Sequence, residues 1–478
     1  MECTIAWTID GEVCPGLTTS VVTIDDFSPG RHSISVAIVR GEDCALSEVS
    51  KVELCPDHVY VNTTGSGTFP YDTAEKGTNS INEAFAALWT DSSRTALVEV
   101  AEGVYTQSDA ITLQVPVEIV GAGKDKTVFR RSYTSGYGFV LAHKAARVSG
   151  LSCADFKGRG FSMSTGSIFD CAVRNCTDSG DARGVGLAIS GGSAVGCEFI
   201  GITNTDQQVM GAGIYQTAGV VSNCLVRSCR GAYSQYGYGG GLFISGTGRF
   251  VCSEISDCSM AGPKGAAAYM TRNSQTSARP LIDSCVITGN LAAADGSAIF
   301  IERGDIRNSL VAHNRGEDGV AAGIIDFSVN RYNNIAASTV LNSTIAGNRG
   351  FKKALVAEFG SFTNTVLAAN DGGYDTVGKD VTMSDGKTIV HGVMSFGHCN
   401  CPALTDGVDG NQTADPRFKS AGNFHLLNSS PCINAGDPTA FPSAESAVDL
   451  DGRPRMKGEG IDMGCYENPL LGLLLMVR

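Results

Sequence analysis

Arg272, Glu302 and Glu358 fall at equivalent positions of a recurring strand-like segment, with Arg303 and Asp326 beside them. Carboxylates near a guanidinium are the residue types that bind calcium, move a proton and stabilise charge on a sugar chain. These five are the candidate catalytic residues, although a solvated charged rim would use the same types. Two positions before Arg272, Glu302 and Glu358 stand Met270, Phe300 and Val356. The corresponding places in preceding segments hold Tyr215 and Phe243. Sugar rings stack on aromatic faces, so Tyr215, Phe243, Met270 and Phe300 form the candidate ligand-binding row. The alternative is that a loop or the terminal segment covers the row, because bare apolar surface of that extent is costly.

Other chemistry-bearing residues carry weaker signals. Cys399-x-Cys401 has the wrong spacing for a zinc knuckle, and no Cys/His pair elsewhere completes a metal site. Asp406, Asp409, Asp449, Asp451 and Asp462 could chelate calcium, but the downstream Glu of an EF-hand is missing. An ion-pair network through Arg453 or Arg455 is the expected use of these acids. No metal ligand set is assigned and no cofactor is expected, with calcium left open. His143, beside Lys144, and His313 read as structural or exposed.

The elements that position these residues come from a degenerate repeat. Segments near 168–176, 221–229, 282–290, 306–314, 340–348 and 362–370 share an apolar residue, a small residue, a second apolar residue and a closing Cys or Asn. The small-residue column is Cys171, Cys197, Cys224, Ser253, Cys285, Ser309, Ser343 and Thr365, recurring every 22 to 34 residues. That spacing describes stacked coils that bury their apolar faces against one another. Asn223, Asn308, Asn342 and Asn364 precede the column by one. Asn290, Asn314, Asn348 and Asn370 follow it by five. Asn tolerates left-handed backbone and can bond the next coil, so both Asn columns are expected to be scaffold. A second strand column follows each segment. Its aliphatic positions Leu187, Ile214, Leu242, Ile299, Ile324 and Leu355 are expected to face the core. Ala188, Tyr215, Phe243, Met270, Phe300, Ile325 and Val356 are then expected to face out.

Composition agrees with an all-β protein. Of 478 residues 59 are Gly, aromatic content is 7%, and the apolar stretches are short and bounded by Gly, Asn, Asp and Ser. The net charge of −13 and the absence of a Lys/Arg cluster argue against nucleic acid or an anionic membrane as partner. No apolar stretch approaches the roughly 20 residues of a membrane span. Met1-Glu2-Cys3 does not open a secretory leader. The repeat and the Thr/Ser/Gly-rich texture still suggest export, and hence a longer precursor. One or two disulfides are plausible among Cys3, Cys14, Cys44 and Cys55. The Cys of the repeat columns are expected to be reduced and buried.

Residues near both ends of the repeat resemble a known family. Val59-Tyr60-Val61, Gly65-Ser66-Gly67, a short helix at 80–88 with Ile81, Ala84, Phe85 and Leu88 on one face, the strand at 98–105 and Gly121-Ala122-Gly123-Lys124 come first. The closing order is Asp415-Pro416-x-Phe418, Phe424-His425-Leu426, 430–437, Asp449-Leu450-Asp451-Gly452-Arg453-Pro454-Arg455 and Asp462-Met463-Gly464-Cys465-Tyr466-Glu467. The first set is similar to the start of right-handed parallel β-helix proteins of the pectate-lyase-like superfamily. The second resembles the end of bacterial choice-of-anchor Q β-helix proteins, and the resemblance covers about 57–467. It implies a right-handed parallel β-helix with its N-terminal helical cap at 57–375, and last coils with a capping segment at 376–478. An immunoglobulin- or PKD-like β module, short of a full sandwich, is expected at 1–56. The resemblance also implies an exported, surface-attached protein whose closing residues are structural. Neither the clustered Asp and Gly-His-Gly of polygalacturonases nor the pectate-lyase calcium motif is found, so neither activity is carried over.

The leading expectation is a non-catalytic, adhesin-like protein, a monomer, that binds polysaccharide or glycan along its solenoid face. The rival is a polysaccharide lyase or glycoside hydrolase acting there on an acidic polysaccharide. Fold alone does not separate them.

Overall fold

A single left-handed residue at each corner turns the chain from one strand into the next. At the first corner these include Asp170, Asn223, Cys252, Ser284, Asn308, Asn342 and Asn364, with φ between 46° and 55°, and the glycines Gly150 and Gly196. Asn and Asp tolerate this region better than other side-chain-bearing residues, which is why they dominate the column. The result, in a computed structural model, is a right-handed parallel β-helix. The structure describes residues 4–21, 28–40, 43–46, 49–88, 90, 94–131, 136–180, 183–232, 237–272, 278–317, 319–328, 338–440, 448–456 and 460–469.

Three long parallel sheets run the length of the solenoid. The first extends from His58–Val61 to Val393–Gly397, the second from Gly103–Gln107 to Val366–Ala368, the third from Ile111–Leu113 to Gly373–Tyr374. A short fourth sheet, from Thr177–Asp178 to Arg315–Gly316, lies between the second and third in chain order. One coil shows the plan: Ser167–Phe169, Asp170 at the corner, Ala172–Arg174, Thr177–Asp178, then Leu187–Ile189. Each strand pairs in register with its counterparts one coil away, so every sequence column becomes a row parallel to the axis.

The two internal columns behave as scaffold. Asn290, Asn314, Asn348 and Asn370 form a ladder in which each Nδ2 donates to the next Oδ1, at 2.8, 2.9 and 2.8 Å. The same Oδ1 atoms accept from the backbone N–H groups of Asn290, Asn314 and Asn348. Such a chain satisfies polar groups that burial would otherwise leave at a cost of about 1–3 kcal/mol each. In the small-residue column Ser253 accepts from the Cys224 N–H at 2.9 Å and Ser309 from that of Cys285 at 3.1 Å. Cys171, Cys197, Cys224 and Cys285 are free and buried. Burial raises the Cys285 thiol far above its ordinary value and pushes that of Cys399 up to about 12, so both act as apolar packing.

The helix forms as Ile81–Ala86, capped by Ser80, whose hydroxyl accepts from the Glu83 N–H at 3.3 Å. Ile81, Ala84 and Leu88 are buried and Phe85 packs against them, closing the open end of the stack. In the N-terminal module, Gly30–Arg40 pairs with Thr4–Ile9 on one edge and with Asp43–Leu46 and Ser50–Leu54 on the other. Asp10-Gly11, both at positive φ, turn Thr4–Ile9 into Glu12–Cys14. The described residues of this module make one antiparallel sheet. The strand expected at 20–25 lies mostly outside the described residues. Cys14 and Cys55 are free, so neither carries the disulfide expected there. Cys3 lies outside the described residues.

Candidate functional site

The third sheet places its outward row as Ser162, Ala188, Tyr215, Phe243, Tyr269, Phe300, Asp326 and Val356. This corrects the expectation at two positions. Met270 faces the core at 0% exposure, in register with Ile244 and Ile301, and Tyr269 takes the outward place. Ile325 likewise faces in, opposite Ile299, and Asp326 stands out beside Phe300. A shift of one residue exchanges the two faces of a strand. The run Ala266-Ala267-Ala268 and the pair Ile324-Ile325 hide that shift, because each neighbouring residue fits the core equally well.

The rings stack in a continuous ladder. Centroid separations are 5.0 Å for Tyr215–Phe243, 5.3 Å for Phe243–Tyr269 and 5.6 Å for Tyr269–Phe300, with interplanar angles of 23°, 27° and 17°. Phe243, Tyr269 and Phe300 are only 8%, 4% and 7% exposed, so most of the row is covered and only Tyr215 stays half-open. The residues just before the strands, Arg183, Met210, Tyr238 and Lys264, are bridged to one another coil by coil, and Met210, Tyr238 and Lys264 supply the cover. Tyr238 stands edge-on to Tyr269 at 4.9 Å. The Lys264 ammonium lies 5.2, 5.8 and 4.9 Å from the ring centres of Tyr238, Tyr269 and Phe300. Each of the four bridged residues is followed by a left-handed glycine: Gly184, Gly211, Gly239 and Gly265. A Cβ at any of them would sit about 2 Å from a backbone carbonyl oxygen, so only glycine admits this approach. That repeated X-Gly pair was the sequence signal for the cover.

The charged candidates divide. Glu302 bonds the Thr271 hydroxyl at 2.8 Å and pairs with Lys264 at 3.6 Å. Burial and the Glu302 charge push the Tyr269 hydroxyl well above its ordinary pKa. Burial pushes the Asp326 carboxyl up to about 6, and the Glu358 charge adds to this. A hydrogen bond from Ser328 at 2.6 Å and the charges of Lys264 and Lys379 act against it. Lys379 and Lys353 both pair with Asp375, the former at 2.8 Å. Glu302, Asp326 and Glu358 thus share one electrostatic neighbourhood. Its cations include Lys264 and Lys379, neither of which sequence reasoning singled out. Arg272 does not share the column of Glu302: the same one-residue shift sets Thr271 level with Glu302 and Arg272 level with Arg303, and both arginines stand half-buried at the ends of their strands.

Where the ladder ends, the row drops to small residues. Ser162 and Ala188 floor a pocket of about 300 Å³ walled by Tyr215 and Tyr137, with Arg183, Ser164 and Ser190 around it. Arg159 lies over the Tyr137 ring at 4.0 Å, donates to its hydroxyl at 2.8 Å and pairs with Asp178 at 3.2 Å. The far wall is therefore fixed by an ion pair as well as by packing.

The acids of the closing segment serve structure. Arg455, 0% exposed, bonds Glu467 at 3.0 Å, the Gly464 carbonyl at 2.7 Å, the Asn342 carbonyl at 3.1 Å and the Asn308 side chain. Asp449 accepts from the Arg453 N–H at 2.7 Å, and Arg453 pairs with Asp451 at 2.5 Å. Asp406 caps a loop through the Thr413 N–H, and Asp462 accepts from the N–H groups of Asn434 and Asn468. His313 packs against Phe424 with ring centres 5.1 Å apart and planes tilted by 41°, and His143 closes a turn by accepting from the Ala145 N–H. Among the described residues no group of three or more His, Cys, Asp or Glu is placed to hold a metal ion. Also among them, no helix is long and apolar enough to cross a membrane.

No family model matches the chain, and no curated protein sequence matches it. Among solved structures, the pectate lyase Pel9A is similar at 16% identity and a TM-score of 0.47, over 86% of this chain and 96% of that one. Pectin methylesterase PemA from Erwinia chrysanthemi is similar at 13% identity and a TM-score of 0.31, over 75% and 93%. The catalytic unit of an alpha-1,3-glucanase from Streptomyces thermodiastaticus is similar at 12% identity and a TM-score of 0.30, over 86% and 84%. No residue role passes from these proteins to this chain.

Proposed function

We propose that this protein binds a glycan on the outer face of its third sheet, as a binding protein and not as an enzyme. The observation that carries this reading is the pocket at Ser162 and Ala188, where the aromatic ladder stops and Tyr215 stands half-open as its terminal ring. A pyranose ring set against Tyr215 would continue the ladder by one rung at the same spacing. Its hydroxyls would meet Ser162, Ser164, Ser190 and Arg183, the mixture of one apolar face and convergent polar groups typical of small-ligand sites. Of the aromatic row expected to bind, only Tyr215 keeps that role in this proposal. Export and surface placement extend the same proposal, resting on the closing motifs that resemble choice-of-anchor Q proteins.

A glycan array on the whole chain, followed by titration of the best ligand into Tyr215→Ala and Ala188→Phe, tests the site. Both variants should weaken binding at least about tenfold, equivalent to ~1.4 kcal/mol. Undiminished binding by both would remove the pocket from the argument.

A second reading keeps catalysis. Asp326, with its carboxyl near 6, beside Glu358 and Lys264, has the make-up of a general acid with a charged neighbour. Incubation with acidic polysaccharides decides between the two: new absorbance from unsaturated uronides, or new reducing ends, would establish lyase or hydrolase activity. Binding with neither supports the non-catalytic reading.

A further inference from the structure

A larger cleft lies on the opposite side of the coils, and nothing in the reading above uses it. It has a volume of about 770 Å³ and runs along the corner between the first and second sheets. Its floor follows the corner residues Gly196, Asn223, Cys252 and Ser284 of successive coils. One wall is the row Glu198, Leu225, Glu254 and Val286, which pair in register from coil to coil. The closing segment ends the cleft with Val448, Asp449, Leu450, Asp451, Gly452 and Tyr466. We propose that this cleft binds an extended, neutral oligosaccharide.

Three observations point to that chemistry. First, carboxylate and apolar side chains alternate along the wall at the coil rise of about 4.8 Å. Second, the carboxylates already have cations beside them. Lys124 pairs with Glu198 at 3.1 Å and with Asp170 at 2.8 Å, and Arg227 pairs with Glu254 at 3.3 Å. A polyanion would meet Glu198, Glu254 and Asp451; a polycation would meet Lys124 and Arg227; a purely apolar ligand would strip water from all of them. A neutral sugar chain offers apolar ring faces to Leu225 and Val286, and hydroxyls that both donate to carboxylates and accept from cations. Third, the end wall is aromatic and held in place. Tyr466 stacks on His425 at 3.9 Å, His425 bonds Asp451 at 2.8 Å, and Asp451 pairs with Arg453. A peptide strand finds less here, because the coil-to-coil ladders already use the backbone groups that strand addition needs.

The proposal is independent of the Tyr215 pocket, and its test separates the two. Cellohexaose, mannohexaose, laminarihexaose and hexagalacturonate are titrated into the whole chain by calorimetry. The same ligands are titrated into Leu225→Trp, which fills the cleft, and Tyr215→Ala, which does not touch it. At least one neutral hexasaccharide should bind. Its affinity should fall at least about tenfold in Leu225→Trp and stay unchanged in Tyr215→Ala. If Leu225→Trp fails to fold, Glu254→Gln, which keeps the side chain's size and removes the charge that pairs with Arg227, should weaken the same ligand. No heat with any neutral hexasaccharide at about 10 mM would overturn the proposal. So would binding lost in Tyr215→Ala and kept in the cleft variants, which would move the ligand to the other site.

Discussion

The outward faces of the second and third sheets meet the same problem and solve it differently. Both carry apolar side chains that cannot stand bare in water. On the third sheet the cover is local: Lys264 lies five residues before the Tyr269 it shields, and the arrangement repeats from coil to coil through Tyr238 and Met210. On the second sheet the cover is remote. Phe418, Phe424, Leu426, Met463 and Tyr466 fold back over Leu310, Ala312, Ala346, Val366 and Ala368. In both places the candidate binding surface begins where the cover stops. On the third sheet that is the pocket beside Tyr215. On the second it is the cleft against Tyr466, where the outward residues turn from Leu310 and Val286 to Glu254 and Glu198.

The remote cover depends on one buried cation, so its loss should have the largest effect. Arg455→Met takes the cation from Glu467, which keeps only the Asp462 N–H, and takes the donor from the Gly464 and Asn342 carbonyls in an apolar setting. Breaking a buried pair from one side costs about 3–5 kcal/mol. Chemical denaturation should show that loss, and the closing segment should become protease-sensitive before the coils unfold. A single unfolding transition at the wild-type midpoint would mean that packing, not Arg455, fixes the segment. The local cover predicts a similar but slightly smaller cost in the row itself. Tyr269→Ala should destabilise by ~3 kcal/mol, the cost of deleting a buried ring. A loss under about 1 kcal/mol would show Tyr269 to be surface, and would restore the open aromatic platform, the expectation that the sequence allows beside the alternative of a cover.

That expectation shows where sequence stops being informative. The coils, both Asn columns and the helix at Ile81–Ala86 were legible, because each rests on a local requirement: left-handed backbone at Asn223 or Asn342, a capping hydroxyl at Ser80, an apolar face at Ile81 and Ala84. The register of the third sheet was legible only where core and surface residues differ in type. At Tyr269-Met270 and Ile324-Ile325 both residues are large and apolar in body, so the pattern alone puts Met270 and Ile325 on the wrong face. Lys264 and Lys379 were passed over because a lone lysine has no pattern. Only the left-handed glycine after Lys264, repeated at Gly184, Gly211 and Gly239, gives it one. Remote contacts such as Arg455 to Asn308 leave no periodic trace, although the expectation of an arginine network in the closing segment identified the residue.

Asp326 sharpens the comparison from the electrostatic side, since it ends the ladder where an aromatic would continue it. Its folded pKa is raised from 3.8 to about 6, so the folded state holds the proton more tightly than the unfolded one. The stabilisation is fully present below pH 3.8 and is lost as pH rises through about 6. The melting temperature should therefore fall across that window in the wild type by more than in Asp326→Asn, which is neutral throughout. Equal slopes in the two proteins would place Asp326 in contact with water and weaken its standing as a general acid.

The smallest effect distinguishes covering from charge. Lys264 contributes a stem that shields Phe300 and Tyr269 and an ammonium that faces their rings and Glu302. Lys264→Met keeps the stem and removes the charge, so it should cost ~1 kcal/mol, the scale of one partly exposed cation–π contact. Lys264→Ala removes both and should cost roughly twice that through lost packing. If the two variants melt together, the ammonium alone holds the cover, and the local column is an electrostatic lid. If Lys264→Met matches the wild type, the stem is the cover. The third sheet would then be closed as the second is, by apolar contact, from a residue that happens to lie nearby in sequence.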